Sequence, residues 1–139
     1  GNVSYDPQDN EHMIKTRAEK VARVADFLPP LDVFGPDQGD LLVIGWGGTY
    51  GAIRAAVEQA QAEGRSVASC HLRHLNPLPK DLGKILSRYR QVLVPELNMG
   101  QLSMLLQARY PVRVIGLNKV QGQPFRIREI VAKINEILT

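Results

Sequence analysis

The fold of this chain is decided by residues 41–51, which read Leu-Leu-Val-Ile-Gly-Trp-Gly-Gly-Thr-Tyr-Gly. The run from Leu41 to Trp46 is apolar throughout, which is typical of a central strand buried on both faces of a sheet. The glycine-rich turn leads into a segment whose apolar residues have helical spacing, namely Ile53, Ala56, Val57 and Ala60. The stretch therefore predicts a strand, a sharp turn and a helix, which is the repeating unit of an α/β fold.

Further strand–helix units are predicted on either side of this stretch. Strands are expected at 66–72, 91–95 and 112–117, with an additional edge strand at 31–34 and a leading helix at 9–27. The inward residues of the later helices are expected to be Leu82, Ile85, Leu86 and Tyr89 in the first, Leu102, Leu105 and Leu106 in the second, and Ile127, Ile130, Val131, Ile134 and Leu138 in the last. Met104 is also predicted to be a core residue.

Alternation at about 20–25 residues per unit predicts a single domain with a parallel sheet and helices on both faces. This domain would occupy 1–139, with the leading helix within 1–27 and the α/β core over 31–139. The carboxyl ends of the strands carry function in such sheets. They fall here at 46–49, 71–76, 96–101 and 118–123, so we expect these residues to share one rim.

The composition argues against several classes of protein. The 139 residues contain 17 Lys and Arg, 14 Asp and Glu and one cysteine, for a formal net charge of +3. Acidic and basic residues alternate without a basic run, which argues against nucleic acid as a partner. No apolar run approaches the roughly 20 residues that span a bilayer, and no secretory signal is recognisable, so we expect a cytoplasmic protein without membrane contact. Because the chain begins without methionine, we expect it to be a piece of a longer subunit.

The glycine turn at 45–51 allows two interpretations. Its spacing departs from the dinucleotide fingerprint, because Tyr50 occupies the position of the third glycine, and no Gly-Lys-Ser/Thr follows to form a phosphate loop. The glycines either let the backbone turn sharply against a neighbour or expose helix amides that bind a phosphate.

The segment 71–77, His-Leu-Arg-His-Leu-Asn-Pro, carries two histidines and an arginine at a strand end. Strand alternation puts His71 and Arg73 on one face. These side chains can do acid–base or anion-binding chemistry, or they can fix the loop or an interface. No carboxylate or further histidine lies at ligand spacing, so a metal site is not predicted.

Glu96 and Lys119 are the charged residues at two other strand ends. Glu96 is either a general base or a cap for the next helix. Lys119 is expected to hold an anion or a partner's carboxylate. The chain has no Ser-His-Asp set, and the lone Cys70 excludes an intramolecular disulfide and a cysteine-held cluster.

We therefore predict no catalytic and no metal-binding residue, and a rim that contacts a partner or a ligand. In this hypothesis Arg73 and Lys119 meet carboxylates of the partner, and Trp46 fills a pocket. The predicted rim residues are Trp46, Gly47, Gly48, Thr49, His71, Arg73, His74, Asn76, Glu96, Asn98, Gln101, Lys119 and Gln121.

Four motifs occur in order along the chain. They are the glycine turn at 45–52, His-Leu-Arg-His-Leu-Asn-Pro at 71–77, Pro-Glu-Leu-Asn-Met-Gly-Gln-Leu at 95–102 and Lys-Val-Gln-Gly-Gln-Pro-Phe at 119–125. Together they resemble the α-subunit of 2-oxoacid:ferredoxin oxidoreductases, and within that family the 2-oxoglutarate subgroup. The resemblance implies a carboxy-terminal domain of the transketolase C-terminal type. That fold has three layers, α/β/α, around a five-stranded, mostly parallel sheet with one antiparallel edge strand.

The same resemblance implies a parent enzyme that converts a 2-oxoacid and coenzyme A into acyl-CoA and carbon dioxide, passing electrons to ferredoxin. Such enzymes use thiamine diphosphate, magnesium and iron–sulfur clusters. This chain has neither the Gly-Asp-Gly segment that holds magnesium and diphosphate nor cysteines for a cluster, so no cofactor is expected in this domain. The implied partners are an upstream thiamine-binding domain of the same subunit, the β-subunit and, through the complex, ferredoxin.

Two alternatives remain open at this point. The first is the equivalent domain of an oxidoreductase that acts on pyruvate or a branched-chain 2-oxoacid. The second is a stand-alone module that binds a nucleotide or coenzyme A.

Overall fold

Strands and helices alternate along the chain, as the apolar periodicity predicts. The computed structural model describes residue 17 and residues 19–21, 23–97, 99–119 and 122–139. Of the predicted leading helix at 9–27, residues 9–16, 18 and 22 lie outside the described residues, and the described residues between 17 and 25 are helical. The strands are β1 (Val33–Phe34), β2 (Gly39–Trp46), β3 (Val67–Leu72), β4 (Tyr89–Glu96) and β5 (Val114–Asn118). The helices that follow β1 are α1 (Tyr50–Ala62), α2 (Leu82–Leu86), α3 (Gln101–Arg109) and α4 (Ile127–Leu138), and a 3-10 turn over Gly47–Thr49 joins β2 to α1.

The five strands form one sheet in the order β1-β3-β2-β4-β5. All neighbours are parallel except β1, which pairs antiparallel with β3 at the edge. The predicted mostly parallel sheet with one antiparallel edge strand is therefore confirmed. None of the described helices is long and apolar enough to cross a membrane.

The central strand β2 divides the core into two layers, because its side chains alternate between the faces of the sheet. Leu41 and Val43 pack with the buried residues of α1 and α4 on one face. Leu42 and Ile44 pack with those of α2 and α3 on the other face. This arrangement gives the predicted three layers, and it explains why the run from Leu41 to Ile44 has no polar residue.

Two predicted core positions are wrong, and both lie on helices. Met104 is 70% exposed, because α3 buries Leu102 and Leu106, and a residue two positions from each lies about 200° around the helix. Ile127 is 44% exposed, because it lies in the first turn of α4, ahead of the buried Ile130 and Ile134.

Tyr89 was expected on a helix, and this expectation is also wrong. Helix α2 ends at Leu86, and the hydroxyl of Ser87 then donates to the carbonyl of Lys84 over 2.7 Å. Tyr89 instead begins β4, where it pairs with Gly39 of β2, and its hydroxyl donates to the carbonyl of Pro36 over 2.6 Å.

The two isoleucines of α4 provide a matched test of the packing. Ile134→Ala leaves a cavity in a fully buried position, and we expect the free energy of unfolding to fall by about 2–5 kcal/mol. Ile127→Ala, the same substitution on the same helix, should cost less than about 1 kcal/mol because its side chain is largely in solvent. Urea unfolding of both variants measures the difference, and equal losses would contradict the described packing of α4.

Candidate functional site

The carboxyl ends of β2 and β4 form the crevice where this class of sheet usually binds its ligands. Helix α1 leaves β2 toward β3 on one face, whereas α3 leaves β4 toward β5 on the other face. Neighbouring strands whose connections diverge in this way open a crevice at their carboxyl ends. Trp46 and Glu96 are the last residues of these two strands, so they lie at the crevice.

The carboxylate of Glu96 fills this crevice from inside the chain. Its side chain is 1% exposed. Its Oε1 accepts hydrogen bonds from the indole Nε1 of Trp46 (3.2 Å) and the amide of Leu102 (2.7 Å). Its Oε2 accepts from the amide of Ser103 (3.1 Å) and from the Ser103 hydroxyl (3.2 Å). Of the two roles that the sequence left open for Glu96, the structure shows the helix cap.

This cap determines what the crevice can do chemically. The first amides of a helix have no partner within the helix, and together with the helix dipole they attract an anion. In α3 two of these amides already bind the carboxylate of Glu96. An external phosphate or carboxylate would have to displace a buried charge that accepts four hydrogen bonds. The crevice is therefore a closed structural joint.

The glycine turn brings α1 close to the sheet. A Cβ on Gly45 would collide with the side chain of Ile53 and would lie 2.7 Å from the hydroxyl of Thr49. Gly47 has a φ of +64°, a conformation that favours glycine. Thr49 is buried, and its hydroxyl donates to the carbonyl of Trp46 over 3.1 Å. These contacts support the interpretation that the glycines allow a sharp turn against a neighbour.

Lys119 makes its ion pair within the chain. Its Nζ donates to Oε1 of Glu129 over 2.7 Å and to the carbonyl of Pro124 over 3.2 Å. The same Glu129 oxygen accepts the amide of Arg126 over 2.9 Å, which caps α4. The hydrogen bond from Lys119, and after it the one from the Arg126 amide, lowers the pKa of Glu129 below its ordinary value. The carboxylate that Lys119 meets is therefore the chain's own.

The histidine and arginine side chains of the segment 71–74 lie at the carboxyl end of β3, with His71 within the strand and Arg73 and His74 after it. The ring of His71 meets Tyr50 edge to face, with centroids 5.1 Å apart. Burial, and after it the charge of Arg73, lowers the pKa of His71. Its Nδ1 is buried without a hydrogen-bond partner among the described residues. Arg73, His74 and Asn76 are exposed.

The remaining predicted rim residues divide into exposed positions and positions that the structure does not describe. Gly47, Gly48 and Gln101 are exposed, and Trp46 is half-buried. Asn98 and Gln121 lie outside the described residues.

An apolar surface that the sequence did not predict lies beside the joint. Leu97 is 39% exposed and Met99 is 75% exposed in the connection from β4 to α3, and the exposed Met104 follows in the first turns of α3. We call these three side chains the Leu97–Met104 patch. A sequence signal was available, because Leu97 directly follows the inward-facing end of a strand and therefore points the opposite way.

Comparisons with known proteins agree on one family. Residues 39–130 match the family model described as pyruvate:ferredoxin oxidoreductase core domain II. The chain is 42% identical over 131 residues to 2-oxoglutarate oxidoreductase subunit KorA of Mycobacterium tuberculosis, an alignment that covers 94% of this chain and 20% of that protein. The chain spans 20% to 35% of the length of the curated relatives it matches.

Solved structures that are similar to this one include an oxidoreductase and a transketolase. The 2-oxoglutarate:ferredoxin oxidoreductase from Magnetococcus marinus, with 2-oxoglutarate, coenzyme A and succinyl-CoA bound, matches with a TM-score of 0.88 and 32% identity. That match covers 100% of this chain and 25% of the other. A split-gene transketolase, an inactive beta4 tetramer, matches 77% of this chain and 41% of its own, with a TM-score of 0.58 and 20% identity. The similarity to the transketolase shows a shared fold. The family model and the 2-oxoglutarate oxidoreductase relatives confirm the resemblance drawn from the four motifs.

Glu96→Gln tests the joint. The glutamine side chain has one acceptor oxygen, and its NH₂ group would face donors in a buried position. We expect the free energy of unfolding to fall by about 2 kcal/mol or more. The emission of Trp46, the only tryptophan of the chain, should shift as its partner is lost. Urea unfolding followed by fluorescence measures both effects. Glu136→Gln, at an exposed position, is the control and should change stability by about 0.5 kcal/mol or less; an equal effect in both variants would contradict the joint.

Lys119→Gln tests the ion pair on α4. A lowered pKa in the folded state means that the pair stabilises the fold at neutral pH, and that this stabilisation is lost as the pH falls through the lowered pKa. Removing Lys119 should move the pKa of Glu129 upward, part of the way to its ordinary value, because the Arg126 amide remains. An NMR titration of the Glu129 carboxyl measures the shift. Lys133→Gln, which removes the partner of Glu136 on the same helix, should leave the pKa of Glu129 where it is.

Proposed function

Because this chain belongs to the family of pyruvate:ferredoxin oxidoreductase core domain II, we propose that it is a non-catalytic, subunit-interface domain of a 2-oxoglutarate:ferredoxin oxidoreductase α-subunit. The parent enzyme would convert 2-oxoglutarate, coenzyme A and oxidised ferredoxin into succinyl-CoA, carbon dioxide and reduced ferredoxin. The choice of 2-oxoglutarate is supported by the names of the relative at 42% identity and of the structure at 32% identity.

The donor set of the described residues does not fit the cofactors that such an enzyme needs. No group of three His, Cys, Asp or Glu side chains that could hold a metal is found among the described residues. The lone Cys70 is buried, and burial, with smaller contributions from Asp81 and Asp32, raises the pKa of its thiol to about 12. A thiol in that state is a poor metal ligand. Thiamine diphosphate, magnesium and iron–sulfur clusters would therefore be held elsewhere in the parent complex.

The observation that carries the interface role is the Leu97–Met104 patch. Apolar side chains are expensive to expose, and methionine is enriched where proteins associate. The patch lies next to the closed joint, in a chain that spans a minor part of its relatives' length. The partners proposed for this surface are an upstream thiamine-binding domain of the same subunit and the β-subunit, with ferredoxin reached through the complex.

The two alternative functions differ in whether they require the Leu97–Met104 patch. An oxidoreductase for pyruvate or a branched-chain 2-oxoacid would use the same interface, and turnover of the parent complex with each oxoacid separates these substrates. A stand-alone nucleotide or coenzyme A module would not need the patch. One phosphate site that such a module could use, the start of α3, is taken by Glu96.

Replacing both methionines of the patch tests the interface. Met99→Gln with Met104→Gln keeps the size of the side chains and removes their apolar contact, so we expect association with the other parts of the oxidoreductase to weaken at least tenfold. Both side chains are in solvent, so the melting temperature of the chain itself should not change. Sedimentation of the reconstituted complex measures association, and reduction of a viologen dye with 2-oxoglutarate and coenzyme A measures turnover.

Ala62→Gln is the control for this substitution. Ala62 is exposed at the end of α1, which leads to the amino end of β3, whereas the patch follows the carboxyl end of β4. The Ala62→Gln substitution introduces the same type of side chain, a glutamine, and should leave association and turnover unchanged. Unaltered assembly of the methionine variant, or equal weakening by the control, would show that the patch is not the interface.

A further inference from the structure

A cavity of about 550 Å³ lies at the edge of the sheet where β1 stops covering β3. Strand β1 pairs only Val33 with Cys70 and Phe34 with Ser69, so among the described residues no strand pairs with that side of β3 beyond Cys70. The space is bounded by the segment 29–34, by the carboxyl end of β3 and by the first turns of α1. We call it the edge cavity. Its volume lies in the range of small-molecule sites.

Both apolar and polar side chains line the edge cavity. Its apolar lining includes Pro29, Pro30, Leu31 and Pro79. Its polar lining includes the acidic Asp32 as well as Tyr50, Arg54, His71, Arg73 and His74. Ligand sites in proteins typically combine apolar surface with a few convergent polar groups.

The charges around the cavity leave a positive group available. The Arg54 guanidinium stacks 3.5 Å from the centroid of the Phe34 ring, and its Nε pairs with Glu58 over 3.1 Å. Arg73 makes no ion pair with a carboxylate of the described residues. Asp32 also lines the cavity, but no ion-pair contact joins it to Arg73. Arg73 is therefore the cation that an incoming anion can reach.

His71 is the second residue of the cavity lining that could bind an anion. Its ring contacts Tyr50 edge to face, and its buried Nδ1 has no hydrogen-bond partner among the described residues. Burial lowers the pKa of this imidazole, and the charge of Arg73 lowers it further. An anion in the cavity would relieve that repulsion and could accept hydrogen bonds from both side chains.

We propose that the edge cavity binds a small organic anion, whose carboxylate or phosphate group lies between Arg73 and His71 and whose apolar body lies against Pro29, Pro30 and Leu31. This site is separate from the joint at Glu96 and from the Leu97–Met104 patch. The ligand is a free small molecule rather than an acidic side chain of a neighbouring protein segment.

Calorimetric titration of the intact protein, in the assembly in which it is isolated, tests the site. Phenyl phosphate and benzoate are the probes, and phenol is the neutral control that lacks the anion. We expect at least one of the two acids to bind at one site per chain, at least tenfold more tightly than phenol, and their ratio identifies the preferred anion. If neither acid binds to the intact assembly, the proposal is overturned, because the cavity is then filled or closed by the protein itself.

Two arginine variants distinguish binding in the edge cavity from a general electrostatic attraction between the anion and the protein. Arg73→Gln should weaken binding of the preferred acid about tenfold or more without changing the melting temperature, because the side chain is exposed. Arg88→Gln removes the same charge just before the start of β4, at the amino end of the parallel strands rather than the carboxyl end where the cavity lies, and should leave binding unchanged. Equal effects of the two variants, or no effect of Arg73→Gln, would overturn the proposal. These measurements involve neither subunit association nor turnover, so their failure would leave the interface proposal standing.

Discussion

The rest of the structure depends on one buried carboxylate. Glu96 ends β4, accepts the indole N–H of Trp46 at the end of β2, and binds two amides at the start of α3. A buried charge is costly unless hydrogen bonds and dipoles replace its water. Here four donors and the positive end of a helix make that replacement. One side chain thus fixes two central strands and the helix that leaves one of them.

The same constraint decides where function can lie. In an open α/β sheet the divergent connections of neighbouring strands create a ligand crevice. This chain occupies its own crevice with Trp46 and Glu96, so the surfaces left for other molecules lie beside it. The connection from β4 to α3 contains both an inward-pointing structural residue and exposed residues within a short stretch. Glu96 points inward and holds the joint, whereas Leu97 and Met99 are exposed next to it.

Much of the fold could be predicted from the sequence because burial leaves a periodic trace. The continuous apolar run of β2 and the helical spacing of Ile53, Val57 and Ala60 each report directly on which surfaces are buried. Apolar periodicity predicts the wrong element where a helix and a strand both fit the spacing of the apolar residues. Tyr89 lies three residues after Leu86 and fits a helix, but its pairing with Gly39 on β2 makes it the first residue of a strand. That pairing is a tertiary contact, and the sequence around Tyr89 does not reveal it.

The candidate site was harder to predict, because the partners of polar groups are distant in sequence. Strand ends could be placed on one rim, but Trp46 and Glu96 are 50 residues apart, and nothing in either motif shows that their side chains meet. Lys119 likewise forms its ion pair within the chain, with Glu129. A buried or half-buried charge must find a partner to be tolerated, so the charged residues that stand out in a sequence tend to be those that the fold itself uses. The side chains that the proposed interface uses are plain apolar ones such as Met99 and Met104, and the sequence pattern assigned Met104 to the core. Only their exposure, seen once the fold is known, separates an interface residue from a core residue.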